Sequence, residues 1–173
     1  KGSFSEYKLK KDETANLPLF REDAIKIIVD NLNDSDIIVT TTGVASRELF
    51  EYREELKQGH EKDFLTVGGM GHANQIALGV ALQKPNRRVF CLDGDGAALM
   101  HMGSMAINGN IECDNFKHII FNNGAHDSVG GQPTVGYTTD FQSIAKASGY
   151  NLVLQAETNE EIVKYIEDLK ALE

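Results

Sequence analysis

The amino-acid sequence predicts an α/β fold in which a doubly wound, mostly parallel sheet is flanked by helices. Patterns typical of strands and of helices alternate from residue 21 to the end of the 173-residue chain. The predicted strands are continuous apolar runs, as expected of strands that are buried on both faces. Several of them end in loops rich in glycine and polar residues, which is typical of ligand-binding α/β proteins.

The helices are predicted from apolar residues that recur three or four positions apart. In the first helix, Ala24, Ile28 and Leu32 fall on one side. The last helix begins at Thr158, because Glu161 stands three residues later and completes the pattern of a capping box. In chain order, the predicted helices are REDAIKIIVDNL (21–32), SRELFEYREELK (46–57), ANQIALGVALQ (73–83), AALMHMGSMAINGN (97–110), FQSIAKASG (141–149) and the segment from residue 158.

The strands are predicted from short runs rich in β-branched and aromatic residues. In chain order, these runs and their adjoining loops are DIIVTTTG (36–43), DFLTVGGMGH (63–72), RRVFCLDGDG (87–96), KHIIFNNG (117–124) and YNLVLQA (150–156). The chain before the first helix is polar and charged, with little periodicity. We therefore expect a linker or N-terminal arm over residues 1–20 and one α/β domain over residues 21–173.

The composition excludes several classes of partner. A formal net charge of −9 argues against nucleic acid or an anionic membrane as the main partner. No apolar run reaches the length of a membrane span. Cys91 and Cys113 show no metal-ligand spacing and are too few for a disulfide scaffold. Cys91 lies in an apolar run and is expected to be a buried free thiol, which suits a cytoplasmic protein.

Four of the predicted strands lead into unusual loops. These are TTTG (40–43), GGMGH (68–72), DGDG (93–96) and NNGAHD (122–127). Parallel α/β sheets bind ligands at the carboxyl ends of their strands, and these ends share one edge of the sheet. We therefore expect the four loops to meet there and to form the ligand site.

The DGDG loop does not fit the common acidic or glycine-rich motifs. An EF-hand calcium loop would need a glycine where Ala98 stands and a glutamate where Ser104 stands. A dinucleotide-binding fingerprint would need a third glycine in place of Leu99, and the Gly-Lys-Ser/Thr of a P-loop is absent from this loop. A purely structural turn stays open as an alternative.

A phosphate-binding loop with a cation accounts better for these residues. Gly94 and Gly96 let the backbone approach a phosphate closely, and amides at the start of the next helix can bind it. A phosphate there would repel Asp95 unless a cation lay between them, so Asp95 is predicted to bind Mg²⁺ or Ca²⁺. Asn122 and Asn123, which follow the next strand, can supply further oxygen ligands.

GDG at the end of one strand and NN at the end of the next resemble the diphosphate-binding signature of thiamine diphosphate (ThDP)-dependent decarboxylases. The resemblance implies the fold of their C-terminal, diphosphate-binding (PP) domain. It also implies that Asp95, the Asn123 side chain and the backbone carbonyl of Ala125 bind the metal, with Mg²⁺ favoured by diphosphate chemistry. Asn122 is an alternative to Asn123, because the spacing between the motifs is slightly longer than is common in the family.

The other loops resemble the same family. The segment GGMG (68–71) is similar to one in which the large apolar residue, here Met70, lies between the two rings of the cofactor. In that segment the carbonyl of Gly68 is implied to accept a hydrogen bond from the aminopyrimidine. The resemblance implies that ThDP contacts Thr42, Gly43, Gly68, Gly69, Met70, Gly94, Asp95, Gly96, Ala97, Asn123, Ala125 and His126.

The family resemblance also implies a partner domain. In these enzymes a second, pyrimidine-binding (Pyr) domain supplies the glutamate that activates ThDP, and residues 1–20 are too few to contain one. We expect a Pyr domain upstream in the same polypeptide or in a separate subunit, and the start of the chain, which is not Met, favours the former. This chain is expected to be inactive by itself, and the complete enzyme is expected to be a homo-oligomer.

Two stretches resemble a particular group of these enzymes. FNNGAHDSVGGQPT (121–134) and TTTGVASRELFE (40–51) are similar to enzymes that convert the 2-oxo acid 3-phosphonopyruvate to phosphonoacetaldehyde and CO₂. Arg47, close to the TTTG loop, suits such a dianionic substrate. The β subunit of sulfopyruvate decarboxylase and a non-catalytic ThDP-binding or assembly module are the alternatives.

The five histidines differ in their sequence context. His126 follows the predicted metal loop, and His72 opens the helix after the GGMG segment. These two are the predicted catalytic residues. His60, His101 and His118 have no such context and are expected to be surface or helix-packing residues.

Overall fold

The computed structural model describes residues 19–172, and in this range it has the predicted α/β architecture. The linker or arm predicted over residues 1–20 lies outside the described residues, apart from Leu19 and Phe20. The strands are β1 Ile37–Thr40, β2 Asp63–Leu65, β3 Val89–Gly94, β4 Phe116–Phe121, β5 Ala125–His126 and β6 Gln132–Pro133. The helices are α1 Arg21–Asp30, α2 Val44–Glu55, α3 Ala73–Gln83, α4 Asp95–Met100, α5 Gly103–Asn110, α6 Phe141–Ala147 and α7 Asn159–Ala171, with short 3₁₀ turns at Asp127–Val129 and Gly136–Thr138.

The main sheet has four strands in the order β2–β1–β3–β4. Every neighbouring pair in it is parallel, so the carboxyl ends of all four strands lie at the same edge. The short strands β5 and β6, which the sequence did not predict, pair antiparallel in the loop region after β4. The predicted fold class is therefore confirmed, with the parallel sheet as its frame.

Helices cover both faces of this sheet. On one face, α1, α2 and α7 pack against a cluster that includes Ile38 and Phe90. On the other face, α3 packs against Val39 and Cys91. Successive side chains of a strand point to opposite faces, so Ile38 and Val39 enter different clusters. Burial on both faces explains why the strands are continuous apolar runs.

The helix α3 contacts the sheet through small side chains. Ala73, Ala77 and Ala81 recur at every fourth position and are at most 1% exposed. Residues four apart lie on the same side of a helix, so this alanine row faces the sheet and lets the backbone of α3 approach it closely. The N-terminus of α3 is thereby brought to the edge where the strands end.

Two predicted elements are wrong in detail. Residues 150–156, predicted as a strand, form no strand in the described structure, and Leu152 and Leu154 stay 38% exposed. Apolar residues extend the chain there, but a strand also needs a neighbour that shares its backbone hydrogen bonds. The helix predicted over 97–110 is divided into α4 and α5, because His101 leaves the helical conformation with φ −128° and ψ 45°.

The start of the last helix is confirmed. Thr158 Oγ1 accepts a hydrogen bond from the Glu161 amide at 3.2 Å, and the Glu161 carboxylate accepts one from the Thr158 amide at 3.2 Å. This reciprocal pair is the predicted capping box. None of the helices within residues 19–172 has the length and apolar character needed to cross a membrane.

A buried ion pair joins α2 to β2. Arg53 Nε and Nη2 donate to the two carboxylate oxygens of Asp63 at 2.9 and 3.1 Å. The side chains of Arg53 and Asp63 are 7% and 0% exposed. Because β2 is an edge strand of three residues, this bidentate contact fixes the strand from which the GGMG segment departs.

Replacing Arg53 by leucine leaves the Asp63 carboxylate buried without its partner. We expect the free energy of unfolding, measured by urea denaturation, to fall by about 3–5 kcal/mol. Lys26→Ala is the control, because Lys26 forms an exposed i,i+4 pair with Glu22. We expect no measurable loss there. Equal losses in the two variants would contradict a special role for the buried pair.

Candidate functional site

The four predicted loops meet at the carboxyl edge of the sheet. The amide of Gly68 donates to Thr42 Oγ1 at 3.1 Å, which joins the loop after β2 to the loop after β1. A Cβ built on Gly43 would be only 3.0 Å from Ser128 Oγ. The loop after β1 therefore packs closely against the loop after β4. The expectation that these loops form one region is confirmed.

Gly96 lies directly against Met70 and His126. A Cβ on Gly96 would be 3.4 Å from Met70 Cε and 2.5 Å from Cε1 of the His126 ring. Only glycine leaves room for both side chains at this point. Beside them is a hollow of about 360 Å³, whose lining includes Gly96, Met100, His126 and Thr134.

The GGMG segment depends on glycine for its backbone conformation. Gly68 and Gly69 have φ values of 79° and 61°, a region that side chains with a Cβ rarely adopt. Apart from the glycine itself and its two chain neighbours, no heavy atom of the described residues lies within 4 Å of either Cβ position. The positive φ values, and not steric crowding, therefore explain why residues 68 and 69 are glycines. The backbone beside Met70 is left open to a ligand.

Asp95 lies in a cluster of oxygen atoms. It is the first residue of α4 and is 2% exposed. Its Oδ2 accepts a hydrogen bond from the Thr134 hydroxyl. A Cβ on Gly136 would be too close to both Asp95 Oδ2 and Asn122 Oδ1. Asn122 Oδ1 therefore lies next to the Asp95 carboxylate. No cationic side chain within residues 19–172 forms an ion pair with Asp95, so the cluster has the character of a hard-cation site.

The Asn123 side chain is held by other contacts. Its Oδ1 accepts a hydrogen bond from the Ala125 amide at 3.1 Å, and its Nδ2 donates to Asp127 at 2.7 Å. Arg21 Nη1 also donates to Asp127, at 2.8 Å. The pKa of Arg21 is raised, mainly by its hydrogen bond to Glu48. Burial lowers this pKa, and the hydrogen bond to Asp127 raises it further.

The structure therefore brings the predicted metal ligands together in two pairs. Asn123 contacts Ala125, and Asp95 lies beside Asn122. Which asparagine completes the ligand set stays a prediction. Thr134 ends the stretch 121–134 that carries the family resemblance, but the sequence did not predict that its hydroxyl reaches Asp95.

The two predicted catalytic histidines lie in different hollows. His72 Nδ1 is 3.1 Å from the Gly69 carbonyl and 3.2 Å from the Met70 carbonyl, so its own loop orients the ring. The ring centroid lies 4.3 Å from that of His101. His72 and His101 line a hollow of about 430 Å³. His126 lines the other hollow, and Met100 borders both.

The remaining histidines fit their predictions unequally. His60 stacks on Phe50 with ring centroids 4.4 Å apart and lies 2.9 Å from Glu54, as expected of a surface residue. His101 is exposed but packs against His72, a contact that the sequence did not predict. The prediction for His118 is wrong, because its side chain is only 2% exposed.

His118 belongs to a buried group below the loop edge. Its Nε2 is 3.4 Å from Asp93 Oδ2, and its Nδ1 is 3.0 Å from the Tyr150 hydroxyl. Burial raises the pKa of Asp93, but the interactions with His118 and the hydrogen bonds from Gly94 and Asn74 outweigh it and hold that pKa below its usual value. Burial raises the pKa of Tyr150 to about 12. A histidine inside the apolar run of β4 is the signal that a buried polar partner exists.

Comparison with known proteins gives a consistent result. Residues 41–172 match the family model of the thiamine pyrophosphate enzyme C-terminal TPP-binding domain. The chain is 39% identical over 130 residues to a phosphonopyruvate decarboxylase of Streptomyces viridochromogenes, covering 75% of this chain and 31% of that protein. It is 34% identical over 151 residues to the sulfopyruvate decarboxylase subunit beta of Methanocaldococcus jannaschii, covering 87% of this chain and 75% of that subunit. The chain therefore spans about a third of the length of the phosphonopyruvate decarboxylases that it matches.

Solved structures support the fold. Benzoylformate decarboxylase from Polynucleobacter necessarius superposes with a TM-score of 0.74 over 94% of this chain and 33% of that chain, at 18% identity. A 4-hydroxybenzoylformate decarboxylase from Rhodococcus jostii gives a TM-score of 0.70 at 19% identity. Likeness at this identity concerns the fold alone, and it confirms the predicted α/β architecture.

Gly136 offers a test of the crowded oxygen cluster. An alanine there places a Cβ against the oxygens of Asp95 and Asn122, so we expect a loss of about 1–3 kcal/mol in the free energy of unfolding. Gly79→Ala is the matched control, because its Cβ would point into open space on α3. We expect that variant to gain up to about 1 kcal/mol. Urea denaturation compares the two, and equal stability would show that position 136 is not crowded.

Proposed function

Because the chain belongs to the thiamine pyrophosphate enzymes, as their C-terminal TPP-binding domain, we propose that it is the ThDP- and Mg²⁺-binding part of a 2-oxo acid decarboxylase. The proposed reaction is conversion of 3-phosphonopyruvate to phosphonoacetaldehyde and CO₂. Similarity to the phosphonopyruvate decarboxylase of Streptomyces viridochromogenes supports this substrate.

The observation that carries the proposal is the buried Asp95 carboxylate at the loop edge. A carboxylate that is 2% exposed needs a compensating positive charge or several hydrogen-bond donors. Within residues 19–172 it receives a hydrogen bond from Thr134 and lies next to a second oxygen, that of Asn122. A bound divalent cation that also contacts a diphosphate supplies the missing charge.

The residues around this point suit the proposed cofactor. When bound, ThDP supplies the electron sink for loss of CO₂. Asp95 and an asparagine hold the metal, and Gly94 and Gly96 allow the diphosphate to approach the backbone. Met70, which lies beside Gly96, would support the cofactor rings.

Substrate binding and proton transfer are proposed for nearby charged and titratable groups. His126 lies against Gly96, and we propose that it delivers a proton to the reacting carbon. His72, in the adjoining hollow, is the second candidate. Arg47, exposed at the start of α2, offers positive charge to a dianionic substrate.

The proposed enzyme needs a Pyr domain that supplies the activating glutamate. This domain lies either upstream in the same polypeptide or in a separate subunit, and the chain alone is expected to be inactive. We further propose a homo-oligomer, since such shared sites are formed between subunits. The free thiols of Cys91 and Cys113 support a reducing, cytoplasmic location.

Sulfopyruvate decarboxylase is the second candidate function. The chain covers 75% of the Methanocaldococcus jannaschii subunit beta, whereas it covers 31% of the Streptomyces viridochromogenes protein. The two substrates, 3-phosphonopyruvate and 3-sulfopyruvate, are both three-carbon 2-oxo acids with a second anionic group. A non-catalytic ThDP-binding or assembly module is the third candidate, and the presence of Asp95, Asn123 and Met70 in the sequence speaks against it.

Variants of the metal loop test the cofactor proposal. In the complete enzyme with its Pyr domain, Asp95→Asn removes the central charge, so we expect Mg²⁺-dependent binding of ThDP to be lost. Asn123→Ala is expected to raise the half-saturating Mg²⁺ concentration about tenfold or more. Isothermal titration with ThDP at a series of Mg²⁺ concentrations measures both effects.

Asn122→Ala is the matched comparison for the metal ligand. The family resemblance assigns the ligand to Asn123, so we expect a smaller effect in this variant; Asn122, whose Oδ1 lies next to Asp95 Oδ2, is the alternative ligand. A larger effect in Asn122→Ala than in Asn123→Ala would transfer the ligand role to Asn122. Undiminished binding in Asp95→Asn would contradict the metal site.

Release of CO₂ from two substrates tests the reaction. We expect the complete enzyme to turn over 3-phosphonopyruvate with a higher kcat/KM than 3-sulfopyruvate, and Asp95→Asn to abolish both activities. A preference for 3-sulfopyruvate would favour the second candidate. ThDP binding without turnover of either substrate would contradict the decarboxylase proposal and favour the non-catalytic module.

A further inference from the structure

A row of buried and half-buried polar side chains runs from α3 to the turn before Asp95. Asn108 is 5% exposed, and the side chains of His118 and Asp93 are 2% and 0% exposed. Polar groups at such depth are tolerated when every member of the network has a partner. In order, the row is formed by Gln75, Asn108, Tyr150, His118 and Asp93. The proposed cofactor and metal contacts use none of these five residues.

The hydrogen-bonding capacities of the groups give this row a direction. Gln75 Nε2 donates to Asn108 Oδ1, and Asn108 Nδ2 donates to the Tyr150 hydroxyl at 3.1 Å. The Tyr150 hydroxyl in turn lies 3.0 Å from His118 Nδ1. The Asp93 carboxylate can only accept hydrogen bonds, so His118 Nε2 carries a proton and donates to Asp93 Oδ2 at 3.4 Å.

Asp93 connects this row to the loop that carries Asp95. Its Oδ2 also accepts from Asn74 Nδ2 at 3.3 Å, and its Oδ1 accepts from the Gly94 amide at 2.9 Å. Both carboxylate oxygens are therefore engaged, and the Asp93 side chain cannot rotate without breaking a contact. Gly94 is the last residue of β3 and α4 begins at Asp95, so the held amide lies in the turn that directs Asp95.

We infer that His118 is a positioning residue for the loop after β3. Its Nε2 proton fixes the Asp93 carboxylate, which holds the Gly94 amide and thereby directs Asp95. The inference rests on the proposed function, in which Asp95 binds Mg²⁺. Outer groups that orient a metal ligand in this manner change metal affinity by about 10–100-fold when they are removed.

A metal held directly by the buried group is the competing explanation. Ligand atoms of Cys91, Asp93 and His118 lie within 4.8 Å of one another. The hydrogen bonds already occupy the Asp93 oxygens and both His118 nitrogens, and this favours a hydrogen-bonded network. The experiment must therefore include a metal analysis.

The test compares two replacements of His118 in the complete enzyme with its Pyr domain. His118→Leu removes the donor to Asp93, and we expect the half-saturating Mg²⁺ concentration for ThDP binding to rise about tenfold or more. His118→Gln keeps an N–H that can reach Asp93, and we expect it to stay near the unmodified enzyme. Both variants are expected to approach the unmodified kcat at saturating Mg²⁺. An unchanged Mg²⁺ requirement in His118→Leu, or an equal rise in His118→Gln, would overturn the inference.

A second pair of variants controls for loss of a tyrosine hydroxyl. Tyr150→Phe deprives His118 Nδ1 of its hydrogen-bond partner, so we expect the Mg²⁺ requirement to rise. Tyr52→Phe removes a hydroxyl that donates to Asp30 at 2.7 Å, between α1 and α2, and is expected to leave the requirement unchanged. A stability loss of similar size in both variants, without a difference in Mg²⁺ requirement, would reduce the role of Tyr150 to packing and overturn the inference.

Two measurements do not depend on the proposed function. Nitrogen chemical shifts of His118 are expected to show a proton on Nε2, and hydrogen exchange at Gly94 is expected to accelerate in His118→Leu. An unprotonated Nε2, unchanged exchange, or one equivalent of copurified zinc that is lost in Cys91→Ala would overturn the inference. If the unmodified enzyme binds no ThDP with Mg²⁺, the proposed function fails while these measurements still decide the role of His118.

Discussion

Parallel pairing of β1, β2, β3 and β4 is the constraint on which the rest of this molecule depends. It places the carboxyl ends of all four strands at one edge, so loops far apart in sequence become neighbours. The contact between Gly68 and Thr42 and the packing of Met70 and His126 around Gly96 follow from that arrangement. Without the parallel register, the glycines and carboxylates would be scattered over the surface.

The fold and the main loops were predictable because they depend on local patterns. Continuous apolar runs indicate strands that are buried on both faces, and an apolar run that ends in DGDG indicates a functional loop. Contacts between distant residues leave no such pattern. The Thr134 hydroxyl on Asp95 and the burial of His118 depend on packing across the sheet edge and between strands. The strand predicted over 150–156 fails for the same reason, since apolar residues do not provide a pairing partner.

Asp93 and Asp95 show how two nearby carboxylates acquire different roles. Both are almost completely buried, at 0% and 2% exposure. Asp93 is surrounded by hydrogen-bond donors from Asn74, His118 and Gly94, so its charge is satisfied within the fold. Asp95 lies beside the oxygens of Thr134 and Asn122, and it is the carboxylate that we propose as the metal ligand. The alternation D-G-D thus places a carboxylate that is satisfied within the fold two residues before the proposed metal ligand.

The contacts of Arg21 connect the start of α1 to the loop with the NN motif. Arg21 begins α1 and donates both to Glu48 on α2 and to Asp127, which also accepts from Asn123. One guanidinium therefore joins two helices on one face of the sheet to the loop after β4. A shift of the first turn of α1 would reach Asn123 through two side-chain hydrogen bonds, without passing through the sheet.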